Sequence, residues 1–129
     1  MQIMPQPAFG GQCRQAFDLY ETVLGGRISV MNTFGENAAK MPPGSTASAP
    51  DQIRFAKLRV GDFAILGNGV PQNEDAPKQG FHIALHLKTK EEARHVFEAL
   101  SDGGEVETPL FEVAWSSDFG TLTDRFGTP

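Results

Sequence analysis

The stretch Ala16-Phe17-Asp18-Leu19-Tyr20-Glu21-Thr22-Val23 returns about 77 residues later as Ala93-Arg94-His95-Val96-Phe97-Glu98-Ala99-Leu100, and self-similarity at a fixed spacing marks a chain built from repeated supersecondary units. The leading alanine, an aliphatic-aromatic pair, the glutamate and the closing aliphatic residue keep their places. Around the first copy, Cys13, Ala16, Phe17, Tyr20, Val23 and Leu24 recur at helical spacing and predict a helix from about residue 11 to residue 24. Gly25-Gly26 supplies residues able to take φ > 0 at its end. Around the second copy, Ala93, Val96, Phe97 and Leu100 predict a helix that starts at Thr89 with Glu92 as a capping box and ends near Gly103-Gly104.

Working outward, each helix is preceded by a strand-like segment, 2–9 and 80–87, and followed by another, 26–34 and 104–108. Residues 53–60 and 63–67 flank Gly61-Asp62 and read as a β-hairpin. Asp118 to Thr123 reads as a strand and Asp124-Arg125-Phe126-Gly127 as a turn. Both halves therefore read β-α-β-β-β, module 1 over about 1–68 and module 2 over about 80–129, the second without its last strand. Two stretches, about 35–51 and 68–79, are rich in Gly, Pro, Ser, Asn and Ala and read as loops that are either functional lids or mobile segments.

Composition narrows the class. The chain has 129 residues, the size of one domain. A hydrophobic fraction of 40% with 21% charged residues is that of a globular protein. Fourteen Gly and nine Pro favour many short turns over a bundle of long helices. Eleven Lys and Arg against sixteen Asp and Glu give a net charge of −5, which argues against a nucleic-acid backbone binder. No apolar run is long enough to span a membrane. One Cys excludes an internal disulfide framework and a cysteine-rich zinc site, and fits a reducing, cytoplasmic setting. The opening Met-Gln-Ile-Met-Pro lacks the basic-then-apolar pattern of a signal peptide.

Gly11-Gln12-Cys13-Arg14-Gln15-Ala16-Phe17, Leu24-Gly25-Gly26, Leu58-Arg59-Val60-Gly61-Asp62, Pro109-Leu110, Trp115 and Phe119-Gly120-Thr121-Leu122-Thr123-Asp124-Arg125-Phe126-Gly127 together resemble the PhnB-like branch of the vicinal-oxygen-chelate superfamily. That superfamily includes glyoxalases, bleomycin-resistance proteins and extradiol dioxygenases. The resemblance implies an α+β fold of two βαβββ modules, with a mixed sheet curved into a cup, helices on the convex face and a homodimer. It also implies a further strand after the Asp-Arg-Phe-Gly turn. An old name for the branch, 3-demethylubiquinone-9 3-methyltransferase, finds no support, since no Gly-rich strand-to-helix signature of a Rossmann methyltransferase appears.

Where the superfamily does chemistry, the resemblance implies a divalent metal held by His, Gln or Glu from the first and last strands of each module. His82, in Phe81-His82-Ile83-Ala84-Leu85, matches such a position. The first module has Pro5, or Met4 one place earlier, and Gln6 is out of register. Its last strand, around Ile65, carries no carboxylate, and the third-strand place where many of the branch have His is Phe55. A divalent ion generally needs three protein donors. No metal site and no cofactor are therefore expected, unless ligands come from outside the visible chain.

Strand alternation suggests what the cup offers instead. In 81–87, Phe81, Ile83, Leu85 and Leu87 share the face expected against the helices, leaving His82, Ala84 and His86 toward the cup. In 54–60, Ala56, Leu58 and Val60 pack on the helices while Phe55, Lys57 and Arg59 face the cup or its rim. Such a surface suits a small anionic or aromatic ligand.

Each candidate has a plainer reading. His82 and His86 are pocket residues or strand histidines hydrogen-bonded to neighbours. Lys57 and Arg59 are a ligand clamp or a solvated strand face. Trp115 stacks on a ligand or packs in a core or interface. Glu112 is a general base or an exposed carboxylate. Cys13 has Arg14 and a first helical turn to lower its thiol pKa, yet its place on the apolar stripe makes it a small core residue. Arg94 and His95 lie off the stripe of their helix, on the surface. Two functions stay open. One is a small-molecule binding protein of the bleomycin-resistance kind. The other is a lyase, isomerase or dioxygenase of the same superfamily, metal-dependent or with His82 or Glu112 as base.

Overall fold

The computed structural model describes residues 1–36, 49–71, 75–112 and 118–129, which form two compact units, Met1–Ala76 and Pro77–Pro129. The first contains β1 (Ala8–Gly10), α1 (Cys13–Leu24), β2 (Arg27–Thr33), β3 (Ile53–Val60) and β4 (Phe63–Val70). Its sheet runs β1-β4-β3-β2, with β1 parallel to β4 and the other pairs antiparallel. The second contains α2 (Lys90–Ser101), β5 (Glu105–Glu112) and β6 (Asp118–Thr123), the two strands pairing antiparallel. The architecture is the expected α+β one. No helix among the described residues is long and apolar enough to cross a membrane.

The apolar stripe of α1 builds the core of the first unit. Cys13, Ala16, Phe17 and Tyr20 are buried with Phe9 of β1 and Ala56 and Leu58 of β3. Phe9 and Phe17 meet edge to face, centroids 6.0 Å apart at 84°, and Tyr20 lies 6.0 Å from Phe17. Such aromatic pairs add about 0.5–1.5 kcal/mol each beyond the area they bury. The helix ends where Gly25 adopts a left-handed conformation, φ 69°. On β4, Gly67 lies under the Phe17 ring, so the absence of a side chain there is what lets helix and sheet close up.

The expected strand 2–9 is shorter than its pattern. Regular pairing starts at Ala8, although the Leu66 N–H donates to the Pro5 carbonyl at 2.9 Å and the Asn68 N–H to that of Pro7 at 3.2 Å. Pro5 and Pro7 can accept from β4 but have no N–H to return, so the ladder there is one-sided.

In the second unit, the Thr89 hydroxyl accepts from the Glu92 N–H at 3.1 Å and starts α2 as its motif predicts. Val96 is the buried residue of the helix, and Phe97 lies against Gly120 of β6. Strand β5 continues past 108 to Glu112, with register shifts between Val106 and Phe111 that accommodate Pro109. The buried Asp124 organises the turn after β6, accepting from the N–H groups of Phe126 at 2.9 Å and Thr128 at 3.0 Å.

Residues 81–87 form no strand, against expectation. In the first unit the opening strand is held by β4, and no counterpart of β4 occurs among the described residues of the second. Among the described residues only the Ile83 N–H, donating to the Pro129 carbonyl at 3.1 Å, ties the 81–87 backbone to another segment. Phe81 and Leu85, expected against a helix, are 45% and 40% exposed.

Candidate functional site

Register places three strands' worth of polar and apolar groups on the face of the first sheet turned away from α1. The α1 side is identified by Gly67 under Phe17 and by Met31, whose sulfur accepts from the Arg14 guanidinium at 3.4 Å. Alternation then puts Phe55, Lys57 and Arg59 of β3 on the opposite face. Across the ladders stand Arg27, Val30 and Asn32 of β2 and Ala64, Leu66 and Asn68 of β4. Phe55 and Lys57 are half-buried, and Arg27 and Arg59 exposed. Arg27 and the two asparagines were not singled out by the sequence, because cross-strand neighbours follow from register, which is a tertiary property.

In the second unit, the face of β5–β6 away from α2 carries a different cluster. His82 Nε2 lies 3.0 Å from Glu107 Oε2, and the Thr123 hydroxyl donates to Glu107 Oε1 at 2.8 Å. The His82 hydrogen bond above all, then that from Thr123, holds the Glu107 carboxyl below the usual glutamate range. An ionised carboxylate can only accept, so His82 donates to it through Nε2–H. On the same face Phe111 and Phe119 meet edge to face, centroids 5.8 Å apart, both about half exposed. Glu107 went unnoticed in the sequence, where it is one of two acids in Glu105-Val106-Glu107.

The other candidates separate. His86 is exposed and makes no hydrogen bond or ion pair among the described residues. Glu112 pairs with Lys90 at 3.3 Å, both well exposed, an arrangement suited to a solvated carboxylate. Exposed Arg94 pairs at 3.5 Å with Asp118, whose side chain is largely covered. Trp115 lies outside the described residues. Cys13 is 2% exposed, and burial pushes its thiol up to about 12 against the opposing pull of Arg14.

Among the described residues the donor set does not fit a divalent metal. Among the described residues no three His, Cys, Asp or Glu side chains gather closely enough to hold one. His82 has Glu107 as its one acidic partner there. In the first unit Pro5 occupies the opening-strand place, its carbonyl taken by Leu66. Ala64, Ile65 and Leu66 offer no side-chain donor in either register.

The family model described as the Glyoxalase/Bleomycin resistance protein/Dioxygenase superfamily matches residues 7–129, and the chain belongs to that superfamily. It is similar to protein PA1353 from Pseudomonas aeruginosa, with 37% identity and a TM-score of 0.85 over 99% of this chain and 92% of that one. Protein YjdN of Escherichia coli (strain K12) is 28% identical over 136 residues, 100% of this chain and 92% of that protein. A Bacillus cereus structure described as a putative 3-demethylubiquinone-9 3-methyltransferase, PhnB protein, shares the fold at TM-score 0.68 and 22% identity, over 99% of this chain and 95% of that one.

Proposed function

We propose that this chain is a cytoplasmic, homodimeric small-molecule binding protein of the glyoxalase/bleomycin-resistance type that works without a complete metal site. The observation that carries the reading is the helix-distal face of β2–β3–β4. It sets Phe55 and Leu66 beside Lys57 and Arg59, with Asn32 and Asn68 at its other end. Apolar contact with a few convergent polar groups is what a small-molecule site consists of. The donor count supports binding without a metal, since of the positions where the resemblance implies ligands His82 alone carries one, and the others hold Pro5, Phe55 and aliphatic residues.

A second reading, a His-assisted enzyme, is favoured by the His82–Glu107 pair. A carboxylate that fixes one imidazole nitrogen leaves the other poised to take a proton from a substrate. Elemental analysis of untagged protein purified without chelator tests the main reading, and less than a tenth of an equivalent of zinc, nickel, manganese or iron is expected. Stoichiometric metal would overturn it.

A further inference from the structure

Arg27 and Arg59 are direct cross-strand partners on β2 and β3, and like charges so placed repel. Lys57 precedes Arg59 by two residues on the same face of β3, about 7 Å along the strand. Nothing acidic answers them across the ladders, where Val30 and Leu66 flank Lys57 and Ala64 faces Arg59. Among the described residues the ion pairs engage His82, Lys90, Arg94 and Arg125, and none engages Arg27, Lys57 or Arg59. The chain carries sixteen acidic residues and a net charge of −5, so this is a local concentration of cations against the overall balance.

The juxtaposition is fixed by the backbone. A Cβ on Gly26 would stand 2.6 Å from the Arg59 carbonyl oxygen and 2.8 Å from Val60 Cγ2. Only glycine lets the chain enter β2 so close to β3, and that entry sets Arg27 opposite Arg59. Two guanidinium forks and an ammonium match an oxyanion with several acceptor oxygens, and a doubly charged one relieves their mutual repulsion.

We propose that Arg27, Lys57 and Arg59 bind the phosphate group of a small phosphate monoester, whose flat apolar body lies along Val30 and Leu66 toward Phe55. This rests on the binding function proposed above and names the ligand class of the same face. The phosphate provides three terminal oxygens for two forks and Lys57 Nζ, and its apolar remainder has an aliphatic and aromatic strip to cover.

Phenyl phosphate, inorganic phosphate and phenol serve as probes, titrated into the full chain and followed by NMR at the arginine Nε–H and backbone amide signals. Saturable shifts at Arg27 and Arg59 are expected with both phosphates, stronger with phenyl phosphate, and none with phenol at the same concentration. Arg27→Gln should weaken phenyl phosphate at least tenfold while leaving the thermal midpoint of the free protein unchanged or higher, because a repulsion is removed. Arg27→Lys, which keeps the charge and loses the fork, should fall between. No saturable shift, undiminished affinity in Arg27→Gln, or a lowered midpoint of free Arg27→Gln overturns the proposal. Phenol binding near Phe55 with no dependence on Arg27 overturns it too, while leaving the broader binding function standing, whereas stoichiometric metal strikes that function itself.

Discussion

The ring of Phe17 covers Gly67 so closely that a Cβ at position 67 would collide with ring atoms Cε1 and Cζ. Gly67 has no positive φ, so the requirement for glycine is one of space. Gly67→Ala should destabilise the chain by about 1–3 kcal/mol through overpacking, and Phe17→Ala by about 3–5 kcal/mol through the cavity it leaves. In the Phe17→Ala background, Gly67→Ala should cost nothing or add stability, a non-additivity expected of residues in contact. Urea unfolding of the four proteins checks this, and additive effects would show that the contact is not what excludes a side chain.

Cys13 is buried at the start of α1, and burial, outweighing Arg14, pushes its thiol up to about 12. The thiolate is the nucleophile, so native protein at pH 8 should resist iodoacetamide over hours and label fully once urea unfolds it. Labelling of native protein at the rate of an exposed thiol would contradict the placement.

Glu107 carries a pH signature. Its carboxyl sits below the ordinary 4.5 in the folded chain, chiefly through His82 and then Thr123. A depressed folded value means stability that is present above the unfolded value and lost as pH falls through the folded one. Glu107→Gln should therefore lower the thermal midpoint at pH 6 to 7, and the gap from wild type should close as pH drops below 4. A gap that stays constant down to pH 2 would mean that the carboxylate form contributes nothing.

Asp124 turns the chain after β6 by accepting from two backbone N–H groups while itself buried. Leaving those donors without an acceptor should cost about 1–3 kcal/mol in Asp124→Ala, with Asp124→Asn losing less because its amide oxygen can still accept. Denaturation midpoints that rank Asn with Ala would remove the acceptor role.

Much of this fold is legible in the sequence because its signals are local. The stripe from Cys13 to Leu24, the Thr89 cap and the glycine turns each act within a few residues, and the helices and the β3–β4 hairpin fall close to where those signals put them. The segment 81–87 has a strand's composition, but a strand also needs a ladder partner, and composition cannot supply one. The site divides the same way. The shared face of Phe55, Lys57 and Arg59 follows from alternation along one strand, whereas Arg27 and Glu107 matter only through neighbours on other segments, Arg59 and His82. Bulges at Ser29 and around Pro109 shift those registers beyond what periodicity foresees.

The parallel pairing of Phe9 with Gly69 joins opposite ends of the first unit. On a ribosome the pairing of β1 must wait until all of β4 has emerged, since β4 is its one parallel neighbour among the described residues. The large loop closed at that step carries an entropic cost that the β3–β4 hairpin avoids. Aromatic contact between Phe9 and the Phe17 and Tyr20 rings of α1, only a short distance along the chain, gives the waiting strand a place to rest during synthesis.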